Sequence, residues 1–379
     1  MACTLPATNS KDRQFQSTTT YITQTNSTND PQFPSLTVDK FLKDIEREKT
    51  IRFTSKNLRL ATNNFENLLG SGGFGTVYKG VLENGKIVAV KVLNGSSDKT
   101  IGEQFMAEVS TIGRLYHFNL VKLVGFCFEI KLRALVYEYM SNGSLDNFIF
   151  RKRTTILALE KLHLIAIGTA KGIAYLHEEC QQRIIHYDIK PGNILLDENF
   201  NPKVADFGLA KLCNRESSYV TMTRGRGTPG YAAPELWMPY PVSHKCDVYS
   251  FGMVLLEMIG QRRNFEINLT EIEQWFPRWV WENFEKGNLE EIIVICGMEE
   301  NSKEILERMV KVAFWCVQYR PELRPLMSVV VKMLEGLIEI PTPSNPFPQV
   351  DLHPQLVWSN PTTTFDSSSS RGIVVIGNS

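Results

Sequence analysis

The stretch that most constrains this fold is Leu69-Gly70-Ser71-Gly72-Gly73-Phe74-Gly75-Thr76-Val77, together with the strand pattern C-terminal to it. Glycines spaced in this way let backbone N–H groups approach phosphate oxygens with no Cβ between them. The spacing alone fits two architectures. In a dinucleotide-binding βαβ unit such glycines open a helix, and an acidic residue stands about 20 positions later. Here a strand-like pattern runs on through Leu82 instead, and Asn84-Gly85 marks a hairpin turn. Ile87-Val88-Ala89-Val90-Lys91-Val92 then alternates as a β-branched strand. The glycine-rich loop therefore joins two antiparallel strands, and Lys91 stands on the third as a positive charge held on a rigid element. A GxxxxGK[ST] phosphate loop is absent as well.

Composition removes several function classes. Lys+Arg and Asp+Glu balance at 41 each, so nothing favours a strongly electrostatic partner such as duplex DNA. Cys3, Cys127, Cys180, Cys213, Cys246, Cys296 and Cys316 are scattered without CxxC or zinc spacing, as expected of reduced thiols in an intracellular protein. The apolar runs Ile292-Cys296 and Met253-Ile259 fall far short of the ~20 residues of a membrane span. The N-terminus has no basic region leading into an apolar core, and Ala2 excludes N-myristoylation.

Taken in order, residues 1–35 are rich in Thr, Ser, Asn and Gln and are expected to be disordered. Residues 36–62 place Phe41, Leu42 and Ile45 near one helical face and carry a slight basic excess. They read as a solvated, juxtamembrane-like flank, with contact to anionic lipid as the competing role. Thr100–Arg114 is expected to be helical on the spacing of Phe105, Val109 and Ile112. Glu108 on that helix is a candidate partner for Lys91, and Glu103 reads as a solvated carboxylate. Leu120–Val124 and Leu132–Tyr139 read as strands, and Met140–Ser144 as a hinge. Leu159, Leu162, Ala166, Thr169, Ile173 and Leu176 predict a long amphipathic helix. It leads to His186-Tyr187-Asp188-Ile189-Lys190-Pro191-Gly192-Asn193, where Pro191 and Gly192 rule out regular structure. That loop gathers a candidate base (Asp188), a cation (Lys190) and an amide able to hold a metal (Asn193). A short strand region, 199–205, ends in Asp206-Phe207-Gly208, and a polar stretch leads to Ala233-Pro234-Glu235. Helices are expected from Asp247 to about Leu337, with Trp275, Phe276, Trp279, Trp281 and Phe284 in their core. The Pro- and Ser-rich tail, 341–379, is expected to be extended and mobile.

The ordered set of glycine-rich loop, Val-Ala-Val-Lys strand, helix Glu, Asp-x-Lys-x-x-Asn loop, Asp-Phe-Gly, Ala-Pro-Glu and Arg324 resembles the protein kinase family. The resemblance implies an α+β, two-lobed kinase fold over residues 63–340. Its small N-lobe (63–139) would hold an antiparallel sheet with one helix, and its larger C-lobe (144–340) would be mostly helical. It also implies ATP as cofactor, with Leu69, Gly70, Ser71, Gly72, Gly73, Phe74, Gly75, Thr76 and Val77 over the phosphates. Lys91, held by Glu108, would contact the α- and β-phosphates. Ala89 would pack on adenine, backbone groups of Glu138 and Met140 would bond its edge, and Tyr137 would stand at the back of the pocket. Asn193 and Asp206 would bind Mg²⁺, for which Mn²⁺ is the substitute. Asp188 would accept the substrate proton, and Lys190 would stabilise the γ-phosphoryl group. Lys190 and Thr228 match the Ser/Thr-specific class. Asp247 would brace the catalytic loop, and Glu235 would pair with Arg324.

Finer phrases are similar to plant receptor-like kinases: Ala61-Thr62-Asn63-Asn64-Phe65, Leu123-Val124-Gly125-Phe126-Cys127 and Lys245-Cys246-Asp247-Val248-Tyr249-Ser250-Phe251-Gly252. His186-Tyr187-Asp188-Ile189-Lys190-Pro191 is similar to the rust-resistance and thaumatin-like subgroup. This likeness implies protein substrates, a membrane receptor or co-receptor as partner, and a cytoplasmic site at the inner face of the plasma membrane. It leaves open a receptor-like cytoplasmic kinase or part of a receptor. Tyr187 stands where many kinases carry an Arg that pairs with a phosphorylated activation-loop residue. Activity is therefore expected to depend less on phosphorylation at Ser217, Ser218, Thr221, Thr223 or Thr228. A pseudokinase scaffold is the alternative. It predicts the loss of Lys91, Asp188, Asn193 or Asp206, and all four are present.

Overall fold

In a computed structural model the described residues are 42–43, 50–73, 75–95, 97–150, 157–215, 227–238, 241–267, 274–296 and 302–347. The chain divides into a unit of residues 1–44, of which only Leu42 and Lys43 are described, both helical, and a second unit, 45–379. In the second unit the N-terminal part is a sheet of strands β1 (Ile51–Arg52), β2 (Leu68–Gly72), β3 (Gly75–Val81), β4 (Ile87–Val92), β5 (Leu123–Glu129) and β6 (Leu132–Glu138), with two helices, α1 (Ser55–Ala61) and α2 (Asp98–Ile112). The spatial order is β1-β5-β6-β4-β3-β2. All pairings are antiparallel except that of β1 with β5.

The period of two in β4 does the sorting. Val88 and Val90 are fully buried in a core with Leu132, Ala134 and Val136. Ala89 and Lys91 point to the opposite face. Register sets Lys91 across from Val77 and from Leu135. The β3–β4 turn closes through Gly85 N–H to the Leu82 carbonyl, 2.8 Å, and Gly85 has φ +79°.

Three differences from the sequence reading have physical causes. Of the flank expected to be solvated, 36–62, the residues 50–62 pack on this sheet. Thr54 caps α1 by accepting from Asn57 N–H, and Leu58 is fully buried with Val88, Val90 and Cys127. The close approach is possible because residue 125 is glycine. A Cβ there would lie 2.2 Å from the Ile51 carbonyl oxygen and 2.5 Å from the Phe53 ring. The sheet thus has two helices and a parallel edge strand. Second, the strand expected at 120–124 begins at Leu123 and continues to Glu129. Leu120 instead bridges to Val204, so the front of that apolar run is used to join the two parts. Third, residues 341–347, expected to be mobile, are docked on the helical part, with the Trp315 Nε1–H donating to the Pro341 carbonyl at 2.9 Å.

β7 (Gly143–Ser144), inside the stretch expected to be a hinge, is followed by α3 (Asp146–Ile149) and α4 (Leu159–Ala174). The short strands β8 (Arg183–Ile185), β9 (Ile194–Leu196), β10 (Pro202–Val204) and β11 (Lys211–Cys213) frame the loops between them. The helices α5 (Lys245–Gly260), α6 (Phe276–Glu285), α7 (Leu289–Cys296), α8 (Lys303–Cys316) and α9 (Met327–Leu334) complete the C-terminal part. α5 is buried on nearly every side, as a central core helix must be, and packs on α8 across Gly252. Of the five aromatics expected in the core, Phe276, Trp279 and Trp281 are buried, while Trp275 and Phe284 are half-buried. No helix among the described residues is long and apolar enough to cross a membrane. Cys127, Cys180, Cys213, Cys246 and Cys316 are buried free thiols. Burial pushes Cys127 up to about 12 and Cys180 up to about 11, so both stay protonated and unreactive.

Candidate active site

Lys91 is the electrostatic junction on the sheet side. Its ammonium is 2.9 Å from Glu108 Oε1 on α2 and 2.8 Å from Asp206 Oδ1 in the Asp-Phe-Gly turn. Burial alone would lower its pKa, but the two carboxylates outweigh that and hold it above the ordinary lysine value. Burial would likewise raise Asp206, and the Lys91 charge reverses the sign and keeps it ionised. Tyr137, the expected back of the pocket, donates its phenol to the same Glu108 Oε1 at 2.6 Å. Burial, then the neighbouring Glu108 charge, pushes that phenol well above its usual range, so it stays a donor. Glu108 is therefore held from the strand β4 and from the strand end of β6 together. Glu103 is exposed, as expected.

The catalytic-loop candidates converge on the Asp188 carboxylate. Thr228 donates its hydroxyl to Oδ1 at 2.6 Å, Lys190 lies 2.8 Å from Oδ2, and Asn193 Nδ2 donates to Oδ2 at 3.0 Å. Lys190 also donates to the Thr228 hydroxyl at 2.9 Å. Asp188 and Lys190 thus grip one hydroxyl between a base and a cation. Asn193 donates its amide a second time, to the Asp188 carbonyl at 2.9 Å, which leaves its Oδ1 as the atom suited to a hard cation.

The loop is braced from beneath. Asp247, fully buried at the start of α5, accepts from His186 N–H and Tyr187 N–H, each at 2.8 Å, and lies 2.9 Å from His177 Nε2. Burial would raise this carboxyl, and the His177 bond and charge hold it below the usual range. Tyr187 adopts a left-handed backbone (φ +66°), and Asp206 has φ +65°. Such conformations cost ~1–3 kcal/mol in non-glycine residues and collect where side chains must be aimed. His186 lies in the loop singled out from sequence, but its type there suggests no role. Its Nδ1 accepts from Asp188 N–H at 3.2 Å, which sets Nε2 as the donor to the Ala205 carbonyl at 3.0 Å. It links the loop to the residue before Asp206.

The glycines sort by cause. At Gly75 (φ +146°) a Cβ would sit 2.3 Å from the Val92 carbonyl oxygen, so packing requires glycine there. At Gly70, Gly72 and Gly73 an added Cβ meets nothing within 4 Å. Packing among the described residues gives no reason for them, whereas a bound polyphosphate against the backbone would. Leu69, Ser71 and Gly73 are exposed, Thr76 and Val77 are half-buried, and Phe74 lies outside the described residues. Ala89 is half-buried beside Tyr137 in register, and Met140 is buried. Glu138 departs from expectation in one respect. Its N–H is donated to the Lys122 carbonyl at 3.1 Å, so of its backbone groups only the carbonyl can serve a ligand. No cluster of three or more His, Cys, Asp or Glu among the described residues is spaced to hold a metal alone. Asp206 and Asn193 offer two oxygen donors, which suits a divalent cation completed by phosphate oxygens. Ser217, Ser218, Thr221 and Thr223 lie outside the described residues.

The scaffold pair is built as expected. Arg324 donates to Glu235 at 2.6 and 2.9 Å, with the guanidinium 5.0 Å from the Tyr249 ring centroid.

A protein kinase domain model matches residues 64–333. Among curated proteins, the chain is 48% identical over 320 residues to a G-type lectin S-receptor-like serine/threonine-protein kinase of Arabidopsis thaliana, covering 83% of this chain and 38% of that protein. It is 46% identical to the rust resistance kinase Lr10 of Triticum aestivum, covering 82% and 49%. It is 44% identical to a PR5-like receptor kinase of Arabidopsis thaliana, covering 84% and 49%. The chain thus spans about two fifths to a half of the length of these relatives.

Proposed function

We propose that this chain, which belongs to the protein kinase family, transfers the γ-phosphoryl group of ATP to serine or threonine hydroxyls of proteins, as the signalling arm of a plant receptor system. The carrying observation is the hydroxyl of Thr228, held at once by Asp188 Oδ1 and Lys190 Nζ. A substrate hydroxyl presents the same chemistry. Asp188 would take its proton as the new P–O bond forms, and Lys190 would offset charge on the incoming phosphoryl oxygens. Lys91, oriented by Glu108 and Tyr137, would hold the α- and β-phosphates beneath Leu69–Val77. Ala89, the Glu138 carbonyl and the Met140 backbone would seat adenine. Asp206 and Asn193 would hold Mg²⁺, with Mn²⁺ as substitute, and the metal supplies charge neutralisation at the phosphates. Little covalent chemistry is asked of the protein, so positioning and electrostatics are the whole of its task.

Tyr187 supports a reading of regulation. Its ring is buried among Ile185, Cys213, Ala233, Leu236, Val242 and Cys246. Cys213 lies N-terminal, and Ala233 and Leu236 lie C-terminal, to the stretch that carries Ser217 to Thr228, so an apolar cluster brackets that stretch where a charged kinase would use Arg and phosphate. The chain would act at the inner face of the plasma membrane with a receptor or co-receptor as partner, as the receptor-like names of its relatives support.

Labelled ATP with a generic Ser/Thr protein substrate tests the assignment. Asp188→Asn should abolish incorporation while nucleotide binding persists. Equal incorporation by wild type and variant sinks the role given to Asp188. The pseudokinase alternative gains no support from any residue of the site.

A further inference from the structure

Residues 341–347 lie outside the span matched to the family, 64–333, yet they are tied to its C-terminal part at several points. Trp315 Nε1–H holds the Pro341 carbonyl at 2.9 Å. Gln318 brackets Ser344: its Nε2–H donates to the Ser344 carbonyl at 2.9 Å, and the Ser344 hydroxyl donates to Gln318 Oε1 at 3.1 Å. Asn345 Oδ1 accepts from Phe347 N–H at 2.8 Å, a turn that swings the Phe347 ring inward. The ring meets Trp275 edge-on at 4.7 Å and lies 6.4 Å from Phe314. Pro343 and Pro346 are buried. Pro341, Pro343 and Pro346 restrict φ before docking, which lowers the entropy lost on binding.

The same anchor reaches the activation segment. The Gln318 backbone carbonyl accepts from Arg324 Nε–H at 2.7 Å, and the Tyr319 carbonyl accepts from Nη2 at 3.1 Å. Arg324 in turn holds Glu235 of Ala233-Pro234-Glu235. Pro234 and Tyr249 line one cleft with Pro346 and Phe347. Gln318, 2% exposed, therefore grips the docked segment with its side chain and, with its backbone, the arginine that holds Glu235.

We propose that Pro341–Phe347 is a cis-acting strap that positions the substrate-side end of the activation segment through Gln318, Arg324 and Glu235. Affinity for the protein substrate then depends on a segment beyond the family's own span. This rests on the kinase reading for its kinetic part alone. In the full chain, Phe347→Ala removes the ring contacts with Trp275 and Phe314. Aromatic pairs of this kind carry an energy that corresponds to about a fivefold change in an equilibrium constant. The protein-substrate KM should rise about fivefold while the KM for ATP stays within about twofold. Backbone hydrogen exchange at 231–237 should quicken along with that at 341–347, and Phe347→Tyr should restore both readouts. If Phe347→Ala does not fold, Phe347→Leu makes the same comparison at smaller amplitude.

Faster exchange at 341–347 with none at 231–237 overturns the proposal, because the strap would then be packing alone. So does a KM for ATP that rises in parallel with that for substrate. If exchange couples the two segments but neither wild type nor variant transfers phosphate, the kinase reading fails and the strap's physical coupling stands.

Discussion

Replacing Tyr187 with arginine restores the residue that charge-regulated kinases carry, yet it should damage this molecule. The Tyr187 side chain is 2% exposed and sits in an apolar shell of Ile185, Cys213, Ala233, Leu236, Val242 and Cys246. Removing a buried aromatic ring costs ~3–5 kcal/mol by lost transfer energy and cavity formation. An arginine stem refills part of that space, but it brings a guanidinium among apolar side chains, and a buried charge with no partner placed to meet it costs several kcal/mol more. Relaxation toward solvent recovers some of this, so a net loss of ~3–5 kcal/mol is expected, against ~5–15 kcal/mol for the whole fold. Thermal unfolding of Tyr187→Arg should fall by roughly 6–15 °C. Tyr187→Phe keeps the ring and should lose less than ~1.5 kcal/mol. The functional arm uses Thr221→Ala/Thr223→Ala and phosphatase-treated wild type, both expected to keep activity within about threefold, since a packed ring, not a phosphate, joins the ends of the segment. An arginine variant as stable as wild type, or loss of most activity in the alanine double variant, refutes the reasoning.

Individual contacts set the remaining outcomes. Tyr137→Phe removes a 2.6 Å bond to the Glu108 carboxyl group and should cost ~1.5–3 kcal/mol in unfolding free energy, with the KM for ATP rising as Lys91 loses part of its brace. Arg324→Ala leaves Glu235 buried and unpaired and should cost ~3–5 kcal/mol by urea unfolding, whereas Glu235→Met with Arg324→Met together should cost less than that single change. Burial raises Glu257 to about 7, ahead of the opposing bonds from Tyr231 hydroxyl and Asn264 N–H. Between the ordinary glutamate value of 4.5 and about 7 the folded state holds the extra proton, so wild-type stability should decline as pH rises through that window. Glu257→Gln should flatten the decline by ~3 kcal/mol, and parallel curves for the two proteins over about pH 4.5–7.5 would refute the assignment.

Residues whose type is dictated by chemistry were legible from sequence: a lysine on a strand, a carboxylate one helix away, and Asp188 near Asn193, although Pro191, expected to bar regular structure, opens a single 3-10 turn, Pro191–Asn193, because proline's fixed φ suits a first helical position. Elements of ordinary length were legible too, because α4 and β4 are long enough to show their period. β10 falls within the strand region expected at 199–205, whereas β8, β9 and β11, also of three residues and less than two full alternations, left no pattern to read. The flank at 50–62 escapes a pattern reading because one buried aliphatic residue, Leu58, anchors its helix, and the room for Ile51 and Phe53 comes from a glycine remote in sequence, Gly125.

What stayed hidden was the set of side chains that act through one another. Gln318, His186 and the Tyr137 hydroxyl contact no expected ligand, and their types are common on any surface or in any core. Each matters because of two bonds made in different directions: Gln318 to Ser344 and Arg324, His186 to Asp188 and Ala205, and the phenol to the carboxylate that Lys91 already uses. A linear pattern records one residue's type, while coupling is a property of a pair of contacts. The glycine-rich loop shows the same distinction within a few residues. Gly75 is explained by the Val92 carbonyl pressed against it, so it would be needed in an empty protein. Among the described residues an added Cβ at Gly70, Gly72 or Gly73 presses on nothing, and close approach of a phosphate group to the backbone is a use that glycine at these positions suits.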